Sequence, residues 1–229
     1  MKISILTLFP QMFAGPFTES ILKRAQEKKL VEFNLINIRN FGIGPHQMVD
    51  DTPFGGGIGM VLKVDILHKA LTYAKAQFPG ARTKVILTSA AGTTFNQTKA
   101  KAFSKLEHLI IICGHYEGVD ARILEYVDEE ISIGDFVLTG GELPAMLISD
   151  SIVRLIDGVI TDGATDDESF SQPDQALLEY PHYTKPREYD GKEVPEVLLS
   201  GDHGKIKQWR HEQALKKTQA VRPDMLEDH

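Results

Sequence analysis

Cysteine occurs once, at position 113, in a chain of 229 residues. A single thiol excludes an internal disulfide and any zinc site built on cysteine ligands, and a reducing cytosol suits that count. Long apolar runs are missing too: nothing approaches the ~18 uninterrupted residues of a membrane span, so no membrane association is expected. The opening stretch MKISILTLFP has one lysine and a short apolar run closed by Pro10. It lacks the length and the small-residue cleavage site of a secretory signal, and a cytoplasmic location is expected. Basic residues are in deficit overall. The net charge of −7 argues against a protein that coats nucleic acid along its whole surface.

The deficit is uneven. Between Leu155 and Thr184 there is no lysine or arginine, while Asp157, Asp162, Asp166, Asp167, Glu168, Asp174 and Glu179 fall there. From His203 to Arg222 the balance reverses, with Lys205, Lys207, Arg210, Lys216, Lys217 and Arg222 against Glu212 alone. A basic terminal segment on an acidic body reads either as a local nucleic-acid footprint or as a solvated helix face. Otherwise the composition is that of a globular protein, 42% hydrophobic and 25% charged. A chain of this length buries a core without covalent staples.

Apolar periodicity alternates between strand and helix over roughly the first 160 residues. Lys2–Phe9, Val31–Ile38, Lys84–Thr88, Leu109–Cys113 and Glu130–Ile133 read as strands. Thr18–Lys29 (with Thr18 as N-cap), Val64–Phe78, Gln97–Lys105, Gly118–Val127 and an amphipathic Leu143–Ile156 read as helices. Repeated β-then-α units imply an α/β fold with a mostly parallel sheet covered on both faces. The expected division is 1–157 as the main domain, 158–176 as a flexible acidic linker, and 177–229 as a small, mostly helical domain around Lys205–Lys217.

In such sheets ligands sit beyond the C-terminal strand ends. Four loops matter there. Asp50–Met60 carries Gly55, Gly56, Gly57 and Gly59, which free the backbone to approach a ligand, and its aspartates can accept hydrogen bonds from base N–H groups. It lacks the Lys-Ser/Thr of a phosphate-binding loop and the Rossmann spacing. Thr88–Gly92 follows a strand and is small. Cys113–Asp120 places Gly114 at a strand end and Gly118 at a helix start. Ile133–Ala145 is a glycine-rich turn into a helix, with Pro144 in its first turn. Any one of these could be an ordinary turn; their convergence on one sheet edge points to a pocket. His115 has no partner at metal-ligand spacing and reads as a hydrogen-bonding histidine, and Cys113 reads as a buried strand residue.

The strings Phe54–Met60, Cys113–Asp120, Ser132–Pro144, Tyr180–Thr184 and Val197–His203 closely resemble the bacterial tRNA (guanine-N1)-methyltransferases that modify position 37, the TrmD family of the SPOUT class. The resemblance runs over nearly the whole chain, in order. It implies a SPOUT-type parallel sheet with a deep trefoil knot, and an obligate homodimer with each site built from both subunits. It also implies S-adenosylmethionine as cofactor and, as substrate, a tRNA with guanine at positions 36 and 37. By the same resemblance Leu87, Thr88, Ser89, Ala90, Gly114, Tyr116, Glu117, Ile133, Gly134, Phe136, Leu138, Gly140, Gly141 and Pro144 hold the cofactor. Asp50 and Gly59 would contact the preceding guanine, and Lys205 and Arg210 in the basic segment would track the RNA. Magnesium dependence belongs to the family, although no metal-ligand cluster is visible in the sequence.

Arg154 matches the family's arginine. The general base is an aspartate in an Asp-Ser-Phe motif, and here the chain departs, reading Asp166-Asp167-Glu168-Ser169-Phe170. Glu168 holds the place before Ser-Phe and is favoured as base; Asp167 takes the role if the motif shifts by one residue. Three extra residues also lie between Ser171 and Leu177 relative to the family pattern. The altered motif keeps open a non-catalytic RNA- or nucleotide-binding protein of the same fold. A SPOUT methyltransferase for another RNA is a further alternative, against which the Asp50–Gly59 loop argues.

Overall fold

A computed structural model describes residues 1–161, 163–171 and 177–226. The chain forms two compact units, Met1–Thr161 and Asp162–His229. The boundary falls within the segment 158–176. The extra residues expected between Ser171 and Leu177 lie outside the described residues.

In the first unit, β1 (Lys2–Thr7) leads through a short helical turn and α1 (Ala14–Phe17) to α2 (Ser20–Glu27) and β2 (Glu32–Asn37). A two-stranded ribbon follows, β3 (Asp50–Asp51) against β4 (Val61–Leu62), then α3 (Val64–Ala76). The rest is β5 (Thr83–Thr94), α4 (Gln97–Phe103), β6 (His108–Cys113), β7 (Glu129–Ser132) and α5 (Glu142–Val153). The five long strands make one parallel sheet in the order β2-β1-β6-β5-β7.

Period-two alternation sends each strand's side chains to opposite faces, and two cores result. Ile3, Ile5, Ile86, Leu109, Ile111 and Cys113 pack with residues of α1, α2 and α5. Leu6, Val85, Leu87, Ile110 and Ile112 pack with Ile66, Leu67, Ala70, Leu71 and Ala74 of α3. Strands buried on both faces are mostly apolar, as parallel sheets require, with Ser4 and His108 among the buried polar exceptions.

Four local expectations are corrected. Thr18 does not cap α2; it is the C-cap of α1, its hydroxyl donates back to Ala14 O at the start of that helix, and α2 begins after Glu19 without a side-chain cap. Residues 118–120 are not helical: Gly118 has φ +135°, and Asp120 instead caps a 3₁₀ helix at Ala121–Tyr126 by accepting from Arg122 N at 3.0 Å. Strand β5 does not stop at Thr88. Thr88 and Thr93 both align with Ile131 of β7, so Ser89–Gly92 is an excursion from a strand that resumes. Helix α5 is not amphipathic: most of it is buried, and its outer face carries Leu143 and Leu147, 48% and 55% exposed.

In the second unit, β8 (Glu188–Tyr189) and β9 (Lys192–Glu193) form a hairpin closed by Asp190 and Gly191, both with positive φ, as a tight hairpin turn demands. Helix α6 (His203–Val221) is capped by Asp202, which accepts from Lys205 N at 3.1 Å. Its Ala214 and Thr218 are buried, and the Thr218 hydroxyl accepts from Leu178 N at 2.9 Å.

Candidate functional site

The C-terminal edge of the sheet is where strand order and glycine content combine. Strand β5 swings out at Ser89–Gly92, β6 stops at Cys113, and β7 runs into the long turn that precedes α5. Together these segments wall a cavity of about 430 Å³. Leu87, Thr88, Ser89 and Ala90 line one side; Gly114, Tyr116 and Glu117 another; Ile133, Gly134, Phe136, Leu138, Gly140, Gly141 and Pro144 the third. All the strand-end residues singled out from the sequence therefore share one concave surface.

Gly141 is where the walls touch. A Cβ there would lie 2.8 Å from both Cys113 Cα and Gly114 N, and would overlap the Thr88 hydroxyl. The Gly141 N–H donates to Gly114 O at 2.7 Å, which stitches the turn before α5 to the end of β6. Only glycine permits that approach.

Among the described residues no lysine or arginine lines the cavity; its carboxylates are Glu117 and Glu130. The nearby start of α5 carries its own anion, the buried Glu142. A phosphate-rich ligand wants cations or an open helix N-terminus. The lining offers backbone amides and carbonyls, the hydroxyls of Thr88, Ser89, Tyr116, Ser132 and Thr139, His115 and two carboxylates, a set that suits a phosphate-free nucleoside bearing positive charge. Among the described residues no group of three or more His, Cys, Asp or Glu side chains could hold a metal ion.

The glycine loop is bound to the same wall. Glu117 N donates to Met60 O at 3.1 Å, Leu62 N to Gly118 O at 3.1 Å, and Asp120 N to Leu62 O at 2.9 Å. Gly59, with φ +93°, leaves the space that the Glu117 side chain fills. Asp50 sits half-buried on β3. Burial, and then the Asp50 carboxylate, push the Tyr116 phenol up, while Arg39 opposes them. Asp50 is thereby in electrostatic contact with a residue of the cavity.

Arg154 is the half-buried C-cap of α5. Asp167, exposed, and Glu168, half-buried, belong to the second unit, where Ser171 N donates to Glu168 O at 3.0 Å and Glu179 N to the Ser169 hydroxyl at 2.9 Å. Lys205 and Arg210 are exposed on α6, and the Arg210 guanidinium lies 4.8 Å from the centroid of the Tyr180 ring. Cys113 is fully buried; burial, reinforced by Glu142, pushes its thiol well up, so it is no nucleophile. The sequence reading missed Glu142 and Thr7, and gave His115 no partner. The structure joins the three: the Thr7 hydroxyl donates to Glu142 Oε1 at 2.7 Å, and Glu142 Oε2 faces His115 Nδ1 at 3.9 Å.

Fold and cavity define an α/β protein with a concave site at its strand ends whose lining suits a nucleoside-like, phosphate-free ligand. Comparison with known proteins makes this specific. The model of the family tRNA (Guanine-1)-methyltransferase TrmD matches residues 1–228, and the chain belongs to that family. Similar curated proteins carry the name tRNA (guanine-N(1)-)-methyltransferase. One from Geotalea uraniireducens is 54% identical over 230 residues, covering 100% of this chain and 91% of the relative. One from Desulforamulus reducens is 52% identical, with 100% and 89% covered. One from Bacillus subtilis is 51% identical, with 100% and 93% covered. By membership the chain is a transferase enzyme.

Proposed function

We propose that the protein transfers the methyl group of S-adenosylmethionine to N1 of guanine 37 in tRNAs that also carry guanine at position 36. The observation that carries this reading is the cavity itself: nucleoside-sized, walled by glycine-rich strand ends, with carboxylates and no basic side chain among its described lining residues. When bound, the cofactor supplies a methyl group already activated by its sulfonium charge.

What remains for the protein is the acceptor. Guanine N1 carries a proton near neutral pH, and a carboxylate must remove it as general base. Glu168 fills that role, with Asp167 as the alternative. Negative charge then grows on the ring toward O6, and Arg154 offsets it. Asp50 and Gly59 read the preceding guanine, and the target base leaves its stack to reach the pocket, as base-modifying enzymes require. The exposed cations of α6, Lys205 and Arg210 among them, follow the RNA backbone, which reconciles an acidic protein with an anionic substrate.

The active form in this reading is a cytoplasmic homodimer whose subunits share each site, with the cavity loops knotted in the manner of the SPOUT class. Exposed Met12, Leu143 and Leu147 on the first unit are apolar surface suited to such a contact. The segment 158–176 then brings the base to the substrate. Among the described residues no helix is long and apolar enough to cross a membrane.

The test is methylation of a tRNA transcript with guanine at 36 and 37, followed by nucleoside mapping. Product at N1 of guanine 37, lost when either guanine is replaced, is expected; methylation at another atom or another RNA overturns the reading. Glu168→Gln should lower kcat by about 10²–10⁴-fold, the usual worth of a general base. Full turnover there, with loss in Asp167→Asn, moves the base by one residue.

A further inference from the structure

Strand β6 delivers His115 to the cavity wall with Nδ1 turned inward, buried and without a hydrogen bond. The Phe9 and Tyr116 rings flank the imidazole, with centroids 5.0 and 4.7 Å away. Nδ1 faces Glu142 Oε2 at 3.9 Å. Glu142 is 2% exposed, and its other oxygen accepts from the Thr7 hydroxyl at 2.7 Å. That hydroxyl in turn accepts from Phe9 N at 2.9 Å. Gly140 lies where the pair meets: a Cβ there would stand 2.5 Å from Oε2 and 2.6 Å from Nδ1. His115 and Gly140 also form an isolated antiparallel bridge. The pair therefore spans two walls of the cavity, the loop after β6 and the turn before α5.

A buried carboxylate persists only when its charge is met. One hydroxyl and the start of α5 meet part of that need, and Oε2 stands 3.9 Å from the unpartnered His115 Nδ1, just beyond hydrogen-bond distance. An imidazole beside a carboxylate places its proton on the nearer nitrogen, which makes the other nitrogen an acceptor. A charge-assisted N–H···O bond is about 2.7–2.9 Å long, so a movement of about 1 Å closes the gap.

We propose that Glu142 and His115 are positioning residues for the methyl donor. Closure of Nδ1–H···Oε2 draws the 114–118 loop onto the 134–141 turn around the cofactor and leaves His115 Nε2 as an acceptor. The inference rests on the cavity being the cofactor site.

Two measurements test it, both with S-adenosylhomocysteine as the probe. In ¹⁵N spectra of the labelled full-length protein, with the His115 signals assigned by their absence in His115→Asn, the liganded wild type should show the Nδ1–H tautomer. Glu142→Met should abolish that preference. By calorimetry Glu142→Met should bind about tenfold more weakly, the size of one lost charge-assisted hydrogen bond. The Asn amide overlays Nδ1 and the Gln amide overlays Nε2. His115→Asn should therefore stay within about threefold of wild type, and His115→Gln should fall about tenfold. Should Glu142→Met fail to fold, the two His115 variants carry the test. Equal affinities of those two, or an Nε2–H tautomer in the liganded wild type, overturn the pair. No binding by the wild type overturns the cofactor reading and the pair with it; wild-type binding with unaffected variants overturns the pair alone.

Discussion

Strand β6 starts at one histidine and is followed, two residues past its end, by another, and the two have opposite fates. His108, at its start, is fully buried with both ring nitrogens partnered, Nε2 to the Ser4 hydroxyl at 2.8 Å and Nδ1 to the Thr83 hydroxyl at 3.3 Å. His115, two residues past its end, keeps a buried nitrogen without a hydrogen bond opposite a carboxylate. The N-terminal edge of the sheet satisfies its polar groups and holds the fold. The C-terminal edge leaves the His115 Nδ1 without a partner at the cavity wall. A sheet of one composition thus has a closed end and an open end.

That contrast can be broken most sharply at Gly141. Gly141→Ala forces a methyl group into Thr88, Cys113 and Gly114. Donor affinity should fall by up to about a hundredfold, because overpacking of about 1–3 kcal/mol acts directly on the cavity wall. Calorimetry beside a urea melt would detect it, and an unchanged affinity would mean that the cavity is not the donor site. At the closed end, His108→Leu strands the buried Ser4 hydroxyl and should cost about 1–3 kcal/mol of stability while leaving donor affinity untouched. A matching loss of affinity would erase the distinction between the two ends.

Acid sharpens it further. Burial, and then Lys2, hold the His108 imidazole below its usual range. The unfolded chain therefore binds the proton first. The stability this residue contributes is complete above the unfolded value of 6.5 and is lost as pH falls below it toward the lower folded value. Glu129, at the start of β7, behaves likewise at lower pH. Burial raises its carboxyl, but hydrogen bonds from Lys99, Lys84 and Thr93 outweigh that and hold it at about 2. Its contribution is full above 4.5 and disappears as pH falls toward 2. Urea midpoints measured at intervals from pH 8 to pH 3 should decline in two stages; a flat profile between pH 7 and pH 5 would remove His108 from the account. Glu129→Gln, the mildest change, should cost about 1 kcal/mol at neutral pH, since partly exposed ion pairs are weakened by solvent, and should flatten the lower stage.

Much of this was legible in the chain. The β-branched runs of β1 and β6 are apolar on both faces, which only a sheet covered on both sides explains. Glycines at the borders of strands and helices, such as Gly114 after β6 and Gly141 before α5, marked the cavity walls because close backbone approach leaves few alternatives. Other features could not be read locally. Glu142 looks like an ordinary first-turn acid; what buries it is Thr7, 135 residues away in sequence. The excursion at Ser89–Gly92 resembles any small-residue turn until β7 pairs on both sides of it. Thr18 satisfies the rule for an N-cap, but an earlier carbonyl takes its hydroxyl. The outward Leu143 and Leu147 were hidden in a helix whose apolar residues run nearly all round, so periodicity could not tell inside from outside.

Cys113 stands between the two histidines as the chain's sole thiol, in the middle strand of the five and out of reach of solvent. A maleimide or disulfide reagent can therefore modify this protein only in molecules whose central strand has come open. The rate of thiol modification becomes an intrinsic clock for that opening, readable without engineered labels. Comparing the clock with and without a bound donor would report how far ligand at the rim restrains the core beneath it.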